Sequence, residues 1–430
     1  MLNSCLILFL AAFLINIPLG YWRENCPKFS RSWFFWIHAS IPLIIYLRIQ
    51  LKISALFIPL TIISAIIGQI VGSRYRRRTM SKEGLERLEQ IPDLNLPPSS
   101  PPIPPIEDSQ VVVVLLNMGG PRTNTEVRAF FKKLFRDARL MRFPLAFLFQ
   151  PLFASLIVAA RHKAAEKRYN LIGGGSPIFE ATAKQMEALR QELRRRGRDV
   201  EVTFSFNYSS PLPGETIDQI KNSTRKYILP LSLYPHYSSA TTGSSLYHFK
   251  KAAQEVSPAF IFLKAPSYYL DDGYVAAFAD RIREQIKPGE SLDDFYLLFS
   301  AHGLPIYFLV EGDPYPFQIA QTVSKVLGRL TRRNAWAISY QSAVGPMQWL
   351  KPSTESMIMT LAQRGIKRML IVPISFVTDH IETLCEIDIE YRALAQKSGI
   401  VDFRMSRALE CHPGFIKALA DSVEGSLSRK

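Results

Sequence analysis

Three apolar runs open the chain and decide how its first part can fold. Cys5 to Tyr21 is almost uninterrupted, Trp33 to Leu47 contains one histidine, and Ile53 to Val71 is the strongest. A bilayer core of ~30 Å takes about 20 apolar residues as helix, a length the third run supplies and the other two approach. The first run lacks a basic leader and a small-residue cleavage pattern, so a retained membrane helix suits it better than a signal peptide. Burying the same helices in a soluble protein would need a large apolar partner. The sequence therefore predicts an all-α anchor of about three transmembrane helices over residues 1–80, with the lipid bilayer as its partner.

Basic residues orient that anchor. Arg23, Lys28 and Arg31 share one side with Arg74, Arg76, Arg77 and Arg78, against Arg48 and Lys52 on the other. Lys and Arg flanks stay cytoplasmic, so everything after the third span is expected on the cytoplasmic side, of a bacterial inner membrane. Tyr21, Trp22, Trp33 and Trp36 sit near the span ends, as interfacial aromatics do.

Residues 81–109 form a junction. Ser81 to Gln90 read as a short charged helix, and seven prolines follow between Ile91 and Ser109. Proline fixes φ and lacks the amide donor, which excludes a helix or central strand there. A polyproline-like spacer of this length reaches up to about 60 Å at ~3.1 Å per residue, enough for the body beyond it to reorient on the membrane surface.

That body starts near Gln110 and carries 41 basic and 30 acidic side chains. The excess is spread out rather than clustered, which suits an anionic membrane surface or a carboxylate-bearing ligand and does not call for nucleic acid. Four cysteines, none in a C-x-x-C, give no disulfide scaffold or structural zinc module.

Apolar strands alternate with helical stretches. Val111–Asn117, Val200–Asn207 and Tyr227–Leu233 read as buried strands, with helices at Thr125–Phe135 and Phe179–Arg196. Phe295–Ser300, Ala335–Gln341 and Met369–Phe376 repeat the pattern, with helices at Tyr315–Arg332 and Ser353–Arg364. Such alternation predicts an α/β fold with parallel sheets covered by helices. A weak internal repeat divides it into two similar halves, 110–285 and 286–430. Leu115 to Pro121 echoes Leu298 to Pro305, and Leu229 to Leu233 echoes Val372 to Phe376. Both pairs put a loop at the carboxyl end of a strand, where open α/β sheets bind ligands, so the halves should enclose a cleft.

The glycines around Gly119-Gly120-Pro121 and Gly173-Gly174-Gly175-Ser176 lack the spacing of a dinucleotide or P-loop site. Tight turns, or close approach of backbone to a flat ligand, account for them. His302 follows a strand in a loop pinned by Gly303 and Pro305, where an imidazole would titrate near neutrality. Glu382, Glu386 and Glu390 recur every four residues after Asp379-His380, so a helix there stacks three carboxylates on one side. No basic residue at helical offsets pairs with them, and the neighbouring isoleucines leave little of the helix for water. A carboxylate row so placed should carry protons or a hard cation.

Taken together, seven ordered motifs resemble the ferrochelatase family across residues 110–430. They are Leu115 to Pro121; Tyr169 with Ile172 to Pro177; Tyr234 to Ser238 with Thr241 to Ser245; Phe299 to Pro305; Gly312 to Pro316; Gln341-Ser342 with Val344 to Leu350; and Asp379 to Leu384. The resemblance implies two Rossmann-like, chelatase-type halves that insert Fe2+ into protoporphyrin IX, the last step of haem synthesis. It makes His302 the active-site histidine and Glu382 its carboxylate counterpart across the cleft, either of them a metal contact. Asp379, His380, Glu386 and Glu390 would continue a path for metal or protons. Arg161 and Ser176 match propionate positions, and Met141 and Trp349, with Tyr169 and Phe376, surround the macrocycle. Iron is substrate here, and no permanently bound cofactor is implied.

Two departures stand out. Some relatives carry a 2Fe–2S cluster on cysteines of a C-terminal extension, whereas this body offers only Cys385 and Cys411, so no cluster is expected. The N-terminal helices also lie outside the family pattern. Coproporphyrin is the alternative substrate, though the apolar lip Leu140, Met141, Phe143 and Pro144 favours protoporphyrin. A porphyrin carrier without turnover would need neither His302 nor Glu382.

Overall fold

Val111-Val112-Val113-Val114-Leu115-Leu116 puts apolar side chains on both faces of any strand it forms, and only a strand covered on both sides can bury them. In the computed structural model this segment is β1 (Val111–Asn117), buried at every residue. The structure describes the chain apart from residues 1, 25, 27–29, 90–105, 138, 141–145, 257–258, 331–334, 344–346 and 429–430, and apart from the side chains of 2–3, 77–89, 146–149 and 151–153.

β1 lies between β2 (Glu201–Phe206) and β3 (Tyr227–Ser232), with β4 (Ile261–Phe262) beyond β3. The second sheet sets β5 (Tyr296–His302) between β6 (Trp336–Gln341) and β7 (Arg368–Pro373), with β8 (Asp402–Met405) beyond β7. All pairings are parallel, and the orders β2-β1-β3-β4 and β6-β5-β7-β8 match. The short sequence echoes therefore mark equivalent places, since β1 corresponds to β5 and β3 to β7.

β4 and β8 went unread because two and four residues are too few to show a period. The helices Asp272–Arg283 and Pro413–Leu427 were also missed. Both are buried on most sides, which erases the apolar stripe that marks a surface helix. They pack on each other. One apolar core, containing Val113, Leu231, Phe299, Val372 and Leu419, runs through both halves.

The N-terminal region folds as α1 (Leu2–Glu24), α2 (Arg31–His38), α3 (Ile41–Gln50) and α4 (Ile58–Glu89). Ser4–Glu24, Arg31–Gln50 and Ala55–Arg76 are long and apolar enough to cross a membrane. The second stretch is broken at Ala39-Ser40, just before Pro42. The charged helix expected at 81–90 is present to Glu89, as the continuous end of α4 rather than an element of its own. The proline spacer lies almost wholly outside the described residues.

Polarity in this region is inverted relative to a water-soluble bundle. Leu6, Ile7, Leu10, Ile49, Leu56 and Ile63 face outward, while Asn16, Ser40 and Gln69 are buried. Ser40 Oγ and Gln69 Nε2 each donate to Asn16 Oδ1 at 3.1 Å, and Gln69 Nε2 donates to the Trp36 carbonyl at 3.0 Å. All three candidate spans are thereby joined by polar contacts of the kind that hold helices together in lipid. α1 and α4 touch backbone to backbone across Gly68-x-x-x-Gly72. A Cβ at Gly72 would lie 1.9 Å from the Ile17 carbonyl oxygen, so only glycine permits this approach.

Candidate active site

Parallel strands with crossover helices deliver their loops to one edge of the sheet, and neighbouring strands bring those loops into contact. β5 and β7 are neighbours. His302 ends β5, and the loop after β7 carries Ser375 to Ile381 into a helix that starts at Glu382. His302 Nδ1 and Glu382 Oε2 consequently lie 2.8 Å apart. The counterpart expected across the cleft is a hydrogen-bonded neighbour, since both residues belong to the second half.

Several residues fix this pair. The His302 amide donates to Ser375 Oγ at 2.9 Å, and the Tyr315 hydroxyl donates to the His302 carbonyl at 3.0 Å. Gln341 Nε2 reaches the Glu382 carbonyl at 3.3 Å. Gly303 lets the loop pass close to Trp349, where a Cβ would stand 2.8 Å from the Gln341 carbonyl oxygen. His380 approaches from the other side, its Nε2 3.8 Å from the same Glu382 oxygen. The Phe376 ring packs edge-on against His380 at 4.5 Å and lies 6.3 Å from His302.

Side chains of His302 and Glu382 remain 33% and 26% exposed, so the pair is reachable. Burial pulls the His302 pKa down, but the adjacent Glu382 carboxylate outweighs it and holds the imidazole above its ordinary value. Burial likewise opposes ionisation of Glu382, and the His302 cation, aided by His380, overcomes that and keeps the carboxyl well below the usual range. Each charge favours the other, so the contact biases the pair toward the imidazolium–carboxylate form. Burial and the Glu382 charge together push the Tyr169 and Tyr234 phenols of the first half upward, so both remain protonated beside it.

The carboxylate row is real but differs from expectation in two ways. Glu382–Tyr391 is a π-helix, closed by an amide of Arg392 on the Ile387 carbonyl. Its wider turn brings residues five apart together, so the Tyr391 hydroxyl donates to Glu386 Oε1 at 2.8 Å and Cys385 Sγ lies 3.7 Å from Glu390 Oε1. The row also has a cation, supplied from far along the chain. Arg168 Nη2 lies 2.6 Å from Glu390 Oε2 and 4.0 Å from Glu386 Oε2. Glu386 further accepts from the Ser342 amide at 2.9 Å and the Ser342 hydroxyl at 2.6 Å.

Other expected residues are less tightly joined to the pair. Asp379 donates its amide to Glu410 at 2.8 Å, and its buried Oδ1 has no hydrogen-bond partner among the described residues. Ser176 is buried under the Pro121 loop, its amide donating to the Pro121 carbonyl at 2.7 Å. Arg161 is exposed on the helix Ala146–Asn170. Met141, Phe143 and Pro144 lie outside the described residues. Among the described residues, no group of three His, Cys, Asp or Glu side chains is arranged to hold a metal ion. Sequence reasoning missed Arg168, Ser375 and Tyr391 and assigned no role to Tyr315, Gln341 or Ser342. The last three stood inside quoted motifs, which was the available signal.

The family described as Ferrochelatase matches residues 110–427. A ferrochelatase of Synechocystis sp. is 41% identical over 326 residues, covering 74% of this chain and 83% of the relative. That of Gloeobacter violaceus is 42% identical over 322 residues, covering 73% and 97%. A solved structure described as SirB from Bacillus subtilis with Fe3+ aligns with a TM-score of 0.44 at 16% identity, over 57% of this chain and 90% of that one. Residues 1–109 lie outside the family match. With its two parallel sheets and the match over its whole body, the chain belongs to the ferrochelatase family of metal chelatases.

Proposed function

We propose that the chain inserts Fe2+ into protoporphyrin IX to give protohaem, the last step of haem synthesis, with His302 and Glu382 at the reacting centre. The observation that carries this reading is their 2.8 Å contact on a partly open sheet edge. Insertion forms metal–nitrogen bonds as two pyrrole protons leave, so the site must take up protons beside a dication. His302, once it has given its proton to solvent, accepts one pyrrole proton, passes it to solvent and can then accept the second. The ionised Glu382 stabilises the imidazolium formed each time. Glu386 and Glu390 offer acceptors further out, with Asp379 and His380 at the near end.

Trp349, Phe376 and Met141 would form apolar walls for the ring, with Tyr169 beside it and Arg161 and Ser176 toward the propionates. No 2Fe–2S cluster enters the scheme. Cys385 and Cys411 are the body's two cysteines, fewer than the four thiolates such a cluster takes. The helices of residues 1–76 would span a bacterial inner membrane, with the body on the cytoplasmic side beside the reservoir of an apolar porphyrin. The test uses the full chain in detergent with Fe2+ or Zn2+ and either porphyrin. Loss of free protoporphyrin fluorescence, faster than for coproporphyrin, is expected. Preference for coproporphyrin would replace the substrate, and binding without metal insertion would leave only a carrier.

A further inference from the structure

Arg76 belongs by sequence to the cationic flank of the third apolar run, where water would be its natural surrounding. It is instead wholly buried. Its Nη2 lies 2.7 Å from Glu311 Oε1, with the two side chains 1% and 0% exposed. Nη1 donates to the Tyr21 hydroxyl of α1 at 3.4 Å. The guanidinium also lies 5.1 Å from the ring centroids of both Tyr21 and Tyr307, one from the membrane region and one from the body. Desolvating a guanidinium and a carboxylate is expensive, and removing either partner strands the other. A loose tether would leave both in water. Tyr21 and Arg76 are in turn held to each other by the close α1–α4 packing at Gly68 and Gly72.

Glu311 sits within the segment that begins at the proposed catalytic histidine. It caps the helix Ile306–Val310, which follows His302-Gly303-Leu304-Pro305. The Tyr307 hydroxyl donates to the Leu140 carbonyl at 3.4 Å, at the described edge of the apolar lip. Asp313, two residues beyond Glu311, accepts from Ser238 Oγ at 3.0 Å and from the Ser239 amide at 2.8 Å. Tyr315 then returns to the His302 carbonyl. Residues 302–315 thus form one clasp joining the pair, the lip, the first half and α4.

We infer that Arg76 and Glu311 form a latch that docks the membrane helices onto this clasp, making the anchor a fixed part of the catalytic unit. The docked rim, at Leu140 and Tyr307, is held at the bilayer surface, and Glu311 is a positioning residue. The inference takes from the proposed function only that α1 to α4 lie in a bilayer. Hydrogen exchange of the full chain in detergent, read by mass spectrometry over residues 306–313, tests it. Arg76→Glu leaves the body's own sequence intact and should speed exchange there on the order of 10²-fold, as expected for breaking a buried pair. Arg76→Glu with Glu311→Arg should restore most of the protection, while α1 exchanges alike in all three proteins. Equal exchange in Arg76→Glu and the unmodified chain would overturn the latch, as would a swapped pair no better protected than the single variant. No porphyrin or iron is needed, so this result and the chelatase assay fail independently.

Discussion

The two halves share a strand order, yet one histidine from each, His236 and His302, meets a different fate. His236 follows β3 and is fully buried, its Nε2 2.9 Å from Thr322 Oγ1. Burial alone pulls its pKa down to about 3, so it stays neutral and serves packing. His302 ends β5 beside a carboxylate and is held above its ordinary value. The same residue type is a structural hydrogen-bond partner after β3 and a chargeable group at the end of β5, two places the shared strand order does not make equivalent. The partner decides, and the fold supplies the partner.

The largest expected effect tests that contrast directly. His302→Ala or Glu382→Gln should each lower kcat by ~10²-fold or more while porphyrin still binds, as loss of a general acid–base group does. His236→Gln should leave the kcat of the folded protein within about threefold of the parent. Comparable kcat losses in the two halves would erase the distinction.

Stability should show the reverse. His236→Ala removes a buried hydrogen bond and leaves a cavity, for ~2 kcal/mol of destabilisation measured by denaturant unfolding. Because the folded pKa of His236 is depressed, its neutral form favours folding fully above 6.5. That contribution is lost as pH falls toward about 3, with a slope approaching ~1.4 kcal/mol per unit. An unchanged acid limb in His236→Gln would show that other groups set it.

A smaller effect concerns the pair's own titration. The folded pKa of His302 is raised, so the pair's contribution is present below 6.5 and fades as pH rises through the higher folded value. Glu382 is depressed, so its contribution is present above 4.5 and fades as pH falls. Turnover that needs neutral His302 should therefore climb with pH through an inflection above 6.5. Glu382→Gln should move the NMR titration of His302 downward, and an unmoved or upward shift would remove Glu382 as the cause.

The smallest effect is none. Cys385→Ser with Cys411→Ser should leave turnover and the visible spectrum within error of the parent. Bands from iron and sulfide that disappear in the double variant would add a cluster to the second half.

Much of the architecture was legible because it is local. β1 was read to the residue, as six consecutive aliphatic side chains admit little but a buried strand. The apolar runs located the membrane-compatible helices within a few residues. His302 and the carboxylate row were visible as residue types at telling places, and the ordered motifs named their family. The family motifs paired His302 with Glu382, but residue patterns alone withheld how distant segments touch. His302 meets Glu382 across 80 residues because β5 and β7 are adjacent, and Arg168 meets Glu390 across 222 because the halves close on each other. Arg76 read as a solvated flank and is buried against Glu311. Periodicity records which side of an element seeks burial, since neighbouring residues share one backbone. Only the tertiary fold decides which two buried sides meet, because that depends on strand order and helix packing summed over the whole chain.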